Sequence, residues 1–214
     1  MEAYNDYNIV DYDKLRLDDI YLNDSKFNKT DDIFESYVLY KDKPLLLKTS
    51  KMILNNMVYD DDELSSLIFE YPHSSNDFYE FSLNLEDTIK NKICDESQRI
   101  VGDNISKDNI NDLYKSNIEL PKTLTSTPEL TIYIDDNEIH VCDKNNDTLD
   151  IDDIRVNNEH VMLLEVRKVI FHRRKIELIL LLRTIKIFNQ IPQLDEFMFE
   201  NTDSDEDDED INSY

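Results

Sequence analysis

Two long apolar runs near the carboxyl end constrain the fold of this chain more than any other feature. They span residues 161–171 and 176–188 and flank a basic turn at residues 172–175. Both runs contain many β-branched residues, and a short polar turn between two such runs is typical of an antiparallel β-hairpin. Because Leu and Arg also favour helices, a buried helix over residues 176–191 remains the alternative for the second run.

The predicted hairpin is also the basic centre of an acidic chain. Between Arg167 and Lys186 lie seven Arg or Lys residues and one acid, Glu177, whereas the whole chain carries a formal net charge of −25. Strand alternation places Lys186 and Phe188 on one face of the sheet. Two interpretations are open: a solvated sheet edge that carries Lys and Arg to block aggregation, or a groove that binds an anion.

Shorter patterns upstream predict a mainly β (α+β) protein with one or two inserted helices. Strands are predicted at residues 37–40, 44–47, 52–59, 64–71, 130–134 and 138–142, the last two as a hairpin about residues 135–137. Apolar residues at steps of three and four predict a helix over about 76–95, and Ser106 can cap a shorter helix over about 106–116. This order is compatible with a small Greek-key barrel with an inserted helix, and the family resemblance described below implies that this barrel is OB-like.

Composition divides the chain into three parts. Residues 1–35 are predicted to be a flexible acidic arm with weak strand character, and residues 36–194 the barrel domain. Residues 195–214 are predicted to be a disordered acidic tail. Ten of the 48 acids lie in this tail, which leaves 38 acids against 23 bases, or −15, for residues 1–194. Since the rest of the chain is already strongly charged, we interpret the tail as a tethered polyanion that competes for the groove at a high effective concentration.

Basic residues interleaved with aromatic ones predict a groove for single-stranded nucleic acid. In such grooves cationic side chains follow the backbone while bases stack on aromatic rings, each stacked base contributing about 1–3 kcal/mol. The predicted cationic residues are Lys48, Lys51, Arg167, Lys168, Arg173, Arg174, Lys175, Arg183 and Lys186, and the stacking candidates are Tyr37, Tyr40, Phe171 and Phe188. The prediction requires that these side chains converge into a single trough.

Sequence motifs for catalysis or for a cofactor are not recognisable. One glycine, Gly102, in 214 residues argues against Gly-rich phosphate loops. Cys94 and Cys142 are isolated, and no catalytic-serine elbow or zinc-ligand spacing occurs. We therefore expect a non-catalytic protein without a cofactor or metal. The amino terminus has no secretion-signal pattern, so we expect an intracellular protein.

Several segments carry a family resemblance. They are D-K-P-L-L-L-K-T-S-K-M at 42–52, F-Y-E-F-S-L-N-L-E-D-T-I at 78–89, Y-K-S at 114–116 and the closing pair of strands. Their order resembles the single-stranded DNA-binding proteins of large nucleocytoplasmic DNA viruses, related to the OB-fold single-stranded DNA-binding proteins of short-tailed phages. The tail is similar to the acidic tail of that family, which ends in an aromatic residue; the matching residues are Asp203, Asp205, Glu206, Asp207, Asp208, Glu209, Asp210 and Tyr214.

The resemblance implies sequence-independent binding of single-stranded DNA during viral DNA replication and recombination, in a viral replication factory of the host cytoplasm. It further implies that the tail docks a viral polymerase or helicase, and it leaves a homodimer open. The alternative is an acidic structural or interaction protein of the virion or viral factory that binds basic protein partners. The −15 on residues 1–194 favours this alternative, because nucleic-acid binders usually present a basic domain.

Overall fold

β-Strands are the main secondary structure in the computed structural model, which describes residues 5–60, 63–121, 123, 126–135 and 139–188. The strands are β1 (Asn8–Asp11), β2 (Ile20–Leu22), β3 (Lys26–Asn28), β4 (Ile33–Tyr40), β5 (Lys43–Lys48), β6 (Met52–Asp60), β7 (Glu63–Glu70), β8 (Tyr114–Lys115), β9 (Ile118–Glu119), β10 (Glu129–Tyr133), β11 (His140–Asp143), β12 (Thr148–Leu149), β13 (Glu159–His172) and β14 (Lys175–Ile187). The helices are α1 (Asn76–Val101) and α2 (Lys107–Leu113). Neither helix is long and apolar enough to cross a membrane.

Strands β6, β7, β10, β14 and β13 form a hydrogen-bonded ring that closes on itself. β7 is antiparallel to both β6 and β10, β13 is antiparallel to β14, and the first residues of β13 return to β6. The junction between β10 and β14 is parallel, at Tyr133 and Leu181. The predicted mainly β architecture is confirmed, and this strand order is consistent with the predicted OB-like Greek-key barrel.

β13 and β14 form a hairpin and are the longest of the described strands. This hairpin confirms the predicted strand pair and excludes a helix over the described part of residues 176–191. One edge of β13 pairs with β14 along its length, and the other edge pairs in succession with β6, β5 and β4. The hairpin therefore connects the closed ring to the amino-terminal strands.

Each strand of the hairpin contains a β-bulge at an arginine. Val166 pairs with Leu180 and Lys168 with Ile179, so Arg167 is the extra residue on β13. Arg183 is likewise the extra residue on β14, since Leu163 and Leu164 pair with Thr184 and Leu182. The partly exposed residues on β13 are Glu159, Val161 and Leu163 before the bulge and Lys168 and Ile170 after it; on β14 they are Lys175 and Ile179 before, and Thr184 and Lys186 after. Each bulge thus exchanges the buried and exposed faces.

Helix α1 packs its apolar stripe against the barrel and extends beyond the predicted end near residue 95. The buried stripe comprises Phe78, Leu85, Ile89, Ile93 and Ile100. The helix ends at Gly102, whose φ of +80° favours glycine and whose N–H donates to the carbonyl of Gln98. The one glycine of the sequence therefore stands where a left-handed conformation is needed.

Helix α2 confirms the predicted cap but is shorter than predicted. The Ser106 Oγ accepts a hydrogen bond from the Asn109 N–H at 3.2 Å. The helix ends at Leu113 because Tyr114 and Lys115 form β8 and pair with β14. Residues 114–116, predicted as the last helical turn, therefore belong largely to the sheet.

The predicted hairpin of residues 130–134 and 138–142 is wrong. β10 and β11 do not pair with each other but run parallel to β14, one after the other. β11 pairs with residues 184–187 of β14, beyond the Leu181 contact of β10. The chain therefore continues in the same direction along β14. Residues 136 and 137 of the predicted turn and residue 138 of the predicted second strand lie outside the described residues.

The predicted flexible arm is also wrong for residues 8–28. β1 pairs in parallel with β5, and both β2 and β3 pair with β4. Ile20 and Leu22 are almost fully buried in the hydrophobic core. The amino-terminal region is therefore part of the barrel domain. The predictions for residues 189–194 and for the tail at 195–214 fall outside the described residues.

Candidate nucleic-acid interface

Two lysine ammonium groups lie close to one aromatic ring at the open end of the β13–β14 hairpin. Lys51 Nζ is 5.0 Å and Lys186 Nζ 5.8 Å from the centroid of the Phe188 ring. We call Lys51, Lys186 and Phe188 the Phe188 cluster. The Phe188 N–H donates to the Glu159 carbonyl at 2.9 Å, which anchors this residue beside β13. The predicted placement of Lys186 and Phe188 on one face agrees with this geometry.

The Phe188 cluster is only partly neutralised by its surroundings. Lys51 Nζ lies 2.9 Å from a Glu159 carboxylate oxygen, in a pair whose two side chains are 50% and 38% exposed. Lys186 Nζ donates to the neutral Asn146 Oδ1 at 2.7 Å. These contacts place two cations near two carboxylates around a partly exposed ring, because Lys186 also interacts electrostatically with the Asp143 carboxylate. An anion can compete with the carboxylate for Lys51, because exposed ion pairs contribute only about 0–1 kcal/mol.

The other end of the hairpin has guanidinium groups at its turn. Arg173 Nη2 lies 2.8 Å from Asp32 Oδ2, although the Arg173 side chain is 80% exposed. Arg174 is also exposed. We call residues 172–175 the hairpin tip. In OB-fold barrels the loop between the last two barrel strands belongs to the oligonucleotide-binding face, which makes this turn a second candidate contact.

The buried carboxylate of Glu177, next to the hairpin tip, has three polar partners. Glu177 lies 2.6 Å from Lys175 Nζ and 3.4 Å from Lys115 Nζ, and it accepts a hydrogen bond from the Tyr133 hydroxyl at 2.5 Å. Burial opposes the charged form, but the hydrogen bonds from Lys175 and Tyr133 outweigh it and hold the pKa of Glu177 below its usual value. Sequence reasoning did not identify Lys115 or Tyr133 as neighbours of this site.

The expectation of a single cationic trough is wrong. Most of the predicted cations are paired with carboxylates: Lys48 with Asp11, Lys51 with Glu159, Lys168 with Glu35, Arg173 with Asp32, Lys175 with Glu177 and Arg183 with Glu165. The Phe188 cluster and the hairpin tip are separated by roughly 40 Å of strand. Positive charge is therefore distributed along the hairpin rather than concentrated in one place.

Three predicted groove residues are buried. Arg183 is 7% exposed and its Nε donates to Glu165 Oε2 at 2.7 Å, so its charge is neutralised inside the barrel. Phe171 is 6% exposed and Tyr40 is 4% exposed. These rings pack in the core, so they are not available to stack on bases. The prediction that these three residues line a groove is therefore wrong.

The remaining predicted residues lie on the surface in different surroundings. Arg167 is partly exposed at the bulge of β13. Lys168 is held by Glu35 at 2.6 Å, next to the half-buried Tyr37 with which it pairs in register. Lys48 lies 3.2 Å from Asp11 at the end of β5. The predicted tail residues fall outside the described part of the chain.

No protein-family model matches the sequence, and no match was found among curated proteins. Solved structures with a similar fold include a C-terminally truncated single-stranded DNA-binding protein of bacteriophage Enc34, with a TM-score of 0.49 and 10% identity over 79% of this chain and 95% of that one. The same phage protein in complex with single-stranded DNA gives 0.46 and 10% over 80% and 96%. The single-stranded DNA-binding protein gp2.5 of bacteriophage T7 gives 0.46 and 8% over 75% and 97%. At these scores, the role of this chain has to be argued from its own residues.

Proposed function

We propose that this chain is a non-catalytic protein that binds single-stranded DNA without sequence preference. The observation that carries the proposal is the Phe188 cluster on the surface of an OB-like barrel. Every base has a flat π-face, so a partly exposed ring can stack on any of them. The nearby ammonium groups of Lys51 and Lys186 then contact phosphates of the same strand.

The ion pairs determine the expected strength of binding. Carboxylates that already pair with Lys48, Lys168 and Lys175 reduce what these cations can offer to phosphate. We therefore expect modest affinity at physiological salt and a steep salt dependence. For single strands the slope is about −0.7 log units per log unit of salt for each phosphate neutralised.

The test is fluorescence anisotropy on labelled oligo-dT at low salt. Replacing the ring with Phe188→Ala should lower the affinity about 10-fold, which equals the loss of one stacked base at about 1.4 kcal/mol. Phe188→Trp should retain binding, because the larger ring still stacks. Lys107→Ala is the charge control for Lys51→Ala and Lys186→Ala, since it removes an exposed lysine on α2. Wild-type protein that fails to bind oligo-dT at low salt would rule the proposal out.

The proposal extends to viral DNA replication and recombination, with the acidic tail as a competitor for the binding surface and a docking segment for replication proteins. Its support is the tail composition and the sequence resemblance. A 1–198 truncation should bind oligo-dT more tightly than the full chain, because it removes the seven acids between Asp203 and Asp210. Equal affinities would show that the tail does not compete.

A second candidate is an acidic interaction protein that binds basic partners. The neutralised cations along the hairpin favour it, since the pairs leave little positive potential to attract DNA. A labelled Lys-rich peptide separates the two functions. Tight, salt-sensitive binding of this peptide together with no binding of oligo-dT would select the second candidate.

A further inference from the structure

A cavity of about 290 Å³ lies beside the hairpin tip. Its apolar walls come from both layers of the fold: Val101, Ile105 and Leu113 from the helical segment, and Phe27, Phe34 and Phe171 from the strands. His172 and Arg173 stand at its polar side, together with Asp32. The cavity is distinct from the Phe188 cluster, which lies at the other end of the hairpin.

Two phenyl rings at this cavity remain accessible to solvent. Phe27 on β3 pairs in register with Phe34 on β4, and their ring centroids are 5.0 Å apart at a tilt of 50°. Phe27 is 47% exposed and Phe34 36% exposed. Phe171, which is buried in the core, also lines the cavity. Contiguous exposed apolar surface of this kind marks a binding site more often than an isolated exposed side chain does.

The cations beside the cavity can reach an anion without leaving a buried charge unpaired. The Arg173–Asp32 pair is solvent-exposed on both sides, so its contribution is small and Arg173 can exchange partners. Arg174 adds a second guanidinium at the turn. Guanidinium groups bind phosphate oxygens in a bidentate geometry. The tip thus places phosphate-binding groups directly next to an apolar cavity.

We infer that this cavity receives one unpaired nucleotide of the bound strand, with its base against Phe27 and Phe34 and its phosphate at Arg173 and Arg174. The inference rests on the proposed function and adds a second contact point to it. The volume supports one planar group rather than a peptide segment, since it lies near the lower limit of small-molecule sites, roughly 300–1,000 Å³. The position at the loop between the last two barrel strands is continuous with the nucleic-acid face of OB folds.

The test compares a Phe27→Ala/Phe34→Ala variant with the full-length wild type on oligo-dT. Because both rings are exposed, the variant should fold, and circular dichroism and thermal unfolding check this. We expect an affinity loss of about 10-fold for oligomers long enough to reach both ends of the hairpin. The control, Ile9→Ala, removes an equally exposed apolar side chain on β1 and should leave affinity unchanged. Arg174→Gln should reduce the salt slope by about 0.7.

The outcomes separate this inference from the proposed function. Wild type that binds no oligo-dT overturns both. Wild type that binds, loses affinity with Phe188→Ala and keeps it with Phe27→Ala/Phe34→Ala overturns the cavity inference alone. A synthetic peptide with the sequence of residues 195–214 tests a protein ligand for the same cavity. If the double variant abolishes binding of this peptide but not of oligo-dT, the cavity is a peptide site and the inference is wrong.

Discussion

The two ends of the β13–β14 hairpin use the same residue types in different ways. At the open end, the ammonium groups of Lys51 and Lys186 lie close to the Phe188 ring, with the carboxylates of Glu159 and Asp143 nearby. At the tip, the guanidinium of Arg173 is paired with Asp32 and stands beside an apolar cavity. The first end presents a ring flanked by charge, and the second presents charge beside a cavity. A basic and aromatic composition therefore does not define a single groove, and the position of each carboxylate decides what each end can bind.

The largest expected effect lies between the two ends, at the buried Arg183–Glu165 pair. Arg183→Ala leaves the Glu165 carboxylate buried without this partner and should reduce the free energy of unfolding by about 3–5 kcal/mol. Urea denaturation measures the change. The double variant Arg183→Met/Glu165→Leu should recover most of the loss, because it removes both charges together. A small loss in the single variant would show that the pair contributes little to stability.

The second-largest expected effect is a change of stability with pH that is caused by His160, near the start of β13 at the open end of the hairpin. Burial lowers the pKa of His160 from its usual 6.5 to about 4. The unfolded chain therefore binds a proton near pH 6.5 that the folded chain binds only near pH 4. The contribution to stability is complete above pH 6.5, falls by about 2 kcal/mol by pH 5 and by about 3 kcal/mol at pH 4.

The measurement is the difference in unfolding free energy between wild type and His160→Leu at pH 7 and at pH 5. The variant lacks the imidazole, so the difference should change by about 2 kcal/mol between the two pH values. The carboxylates titrate in both proteins, so their contributions to the unfolding free energy cancel in this comparison. A difference that stays constant with pH would mean that His160 does not titrate as its burial implies.

The smallest effect compares the carboxylates of the two ends directly. Glu159→Gln at the open end and Asp32→Asn at the tip each remove one negative charge next to a candidate phosphate contact. Each should tighten oligo-dT binding by up to about 5-fold, since exposed pairs contribute roughly 0–1 kcal/mol. Anisotropy titrations at one salt concentration measure both. If only Glu159→Gln tightens binding, the DNA contacts the Phe188 cluster and not the hairpin tip.

Local sequence patterns predicted the strands well but not the faces that they present. Two apolar runs rich in β-branched residues, joined by a short polar turn, identified both hairpin strands, yet the face exchange at Arg167 and Arg183 left no clear signal. Residues on both sides of each bulge are apolar, so the sequence reads as a continuous run. The wrong hairpin of β10 and β11 has a similar cause: nothing local indicates that each strand pairs with β14.

The charge of the candidate site depends on long-range contacts. The sequence around the hairpin shows one acid among seven bases, but several of the neutralising carboxylates come from far along the chain. Glu35 reaches Lys168 across 133 positions, and Asp32 reaches Arg173 across 141. Counts within a window cannot detect such pairs. The sequence predicted only the proximity of Lys186 and Phe188, which are two positions apart. Lys51 is brought to the Phe188 cluster by tertiary packing.

The bulge at Arg183 makes β14 respond unequally to changes in chain length. It holds one more residue than regular pairing requires. Deleting a neighbouring residue such as Thr184 would be absorbed by straightening the strand, and Lys186 and Phe188 would keep facing solvent. Inserting a residue would instead rotate these two side chains toward the interior and bring Ile185 and Ile187 outward. Natural or engineered variants that retain the surface ring should therefore tolerate shortening here better than lengthening.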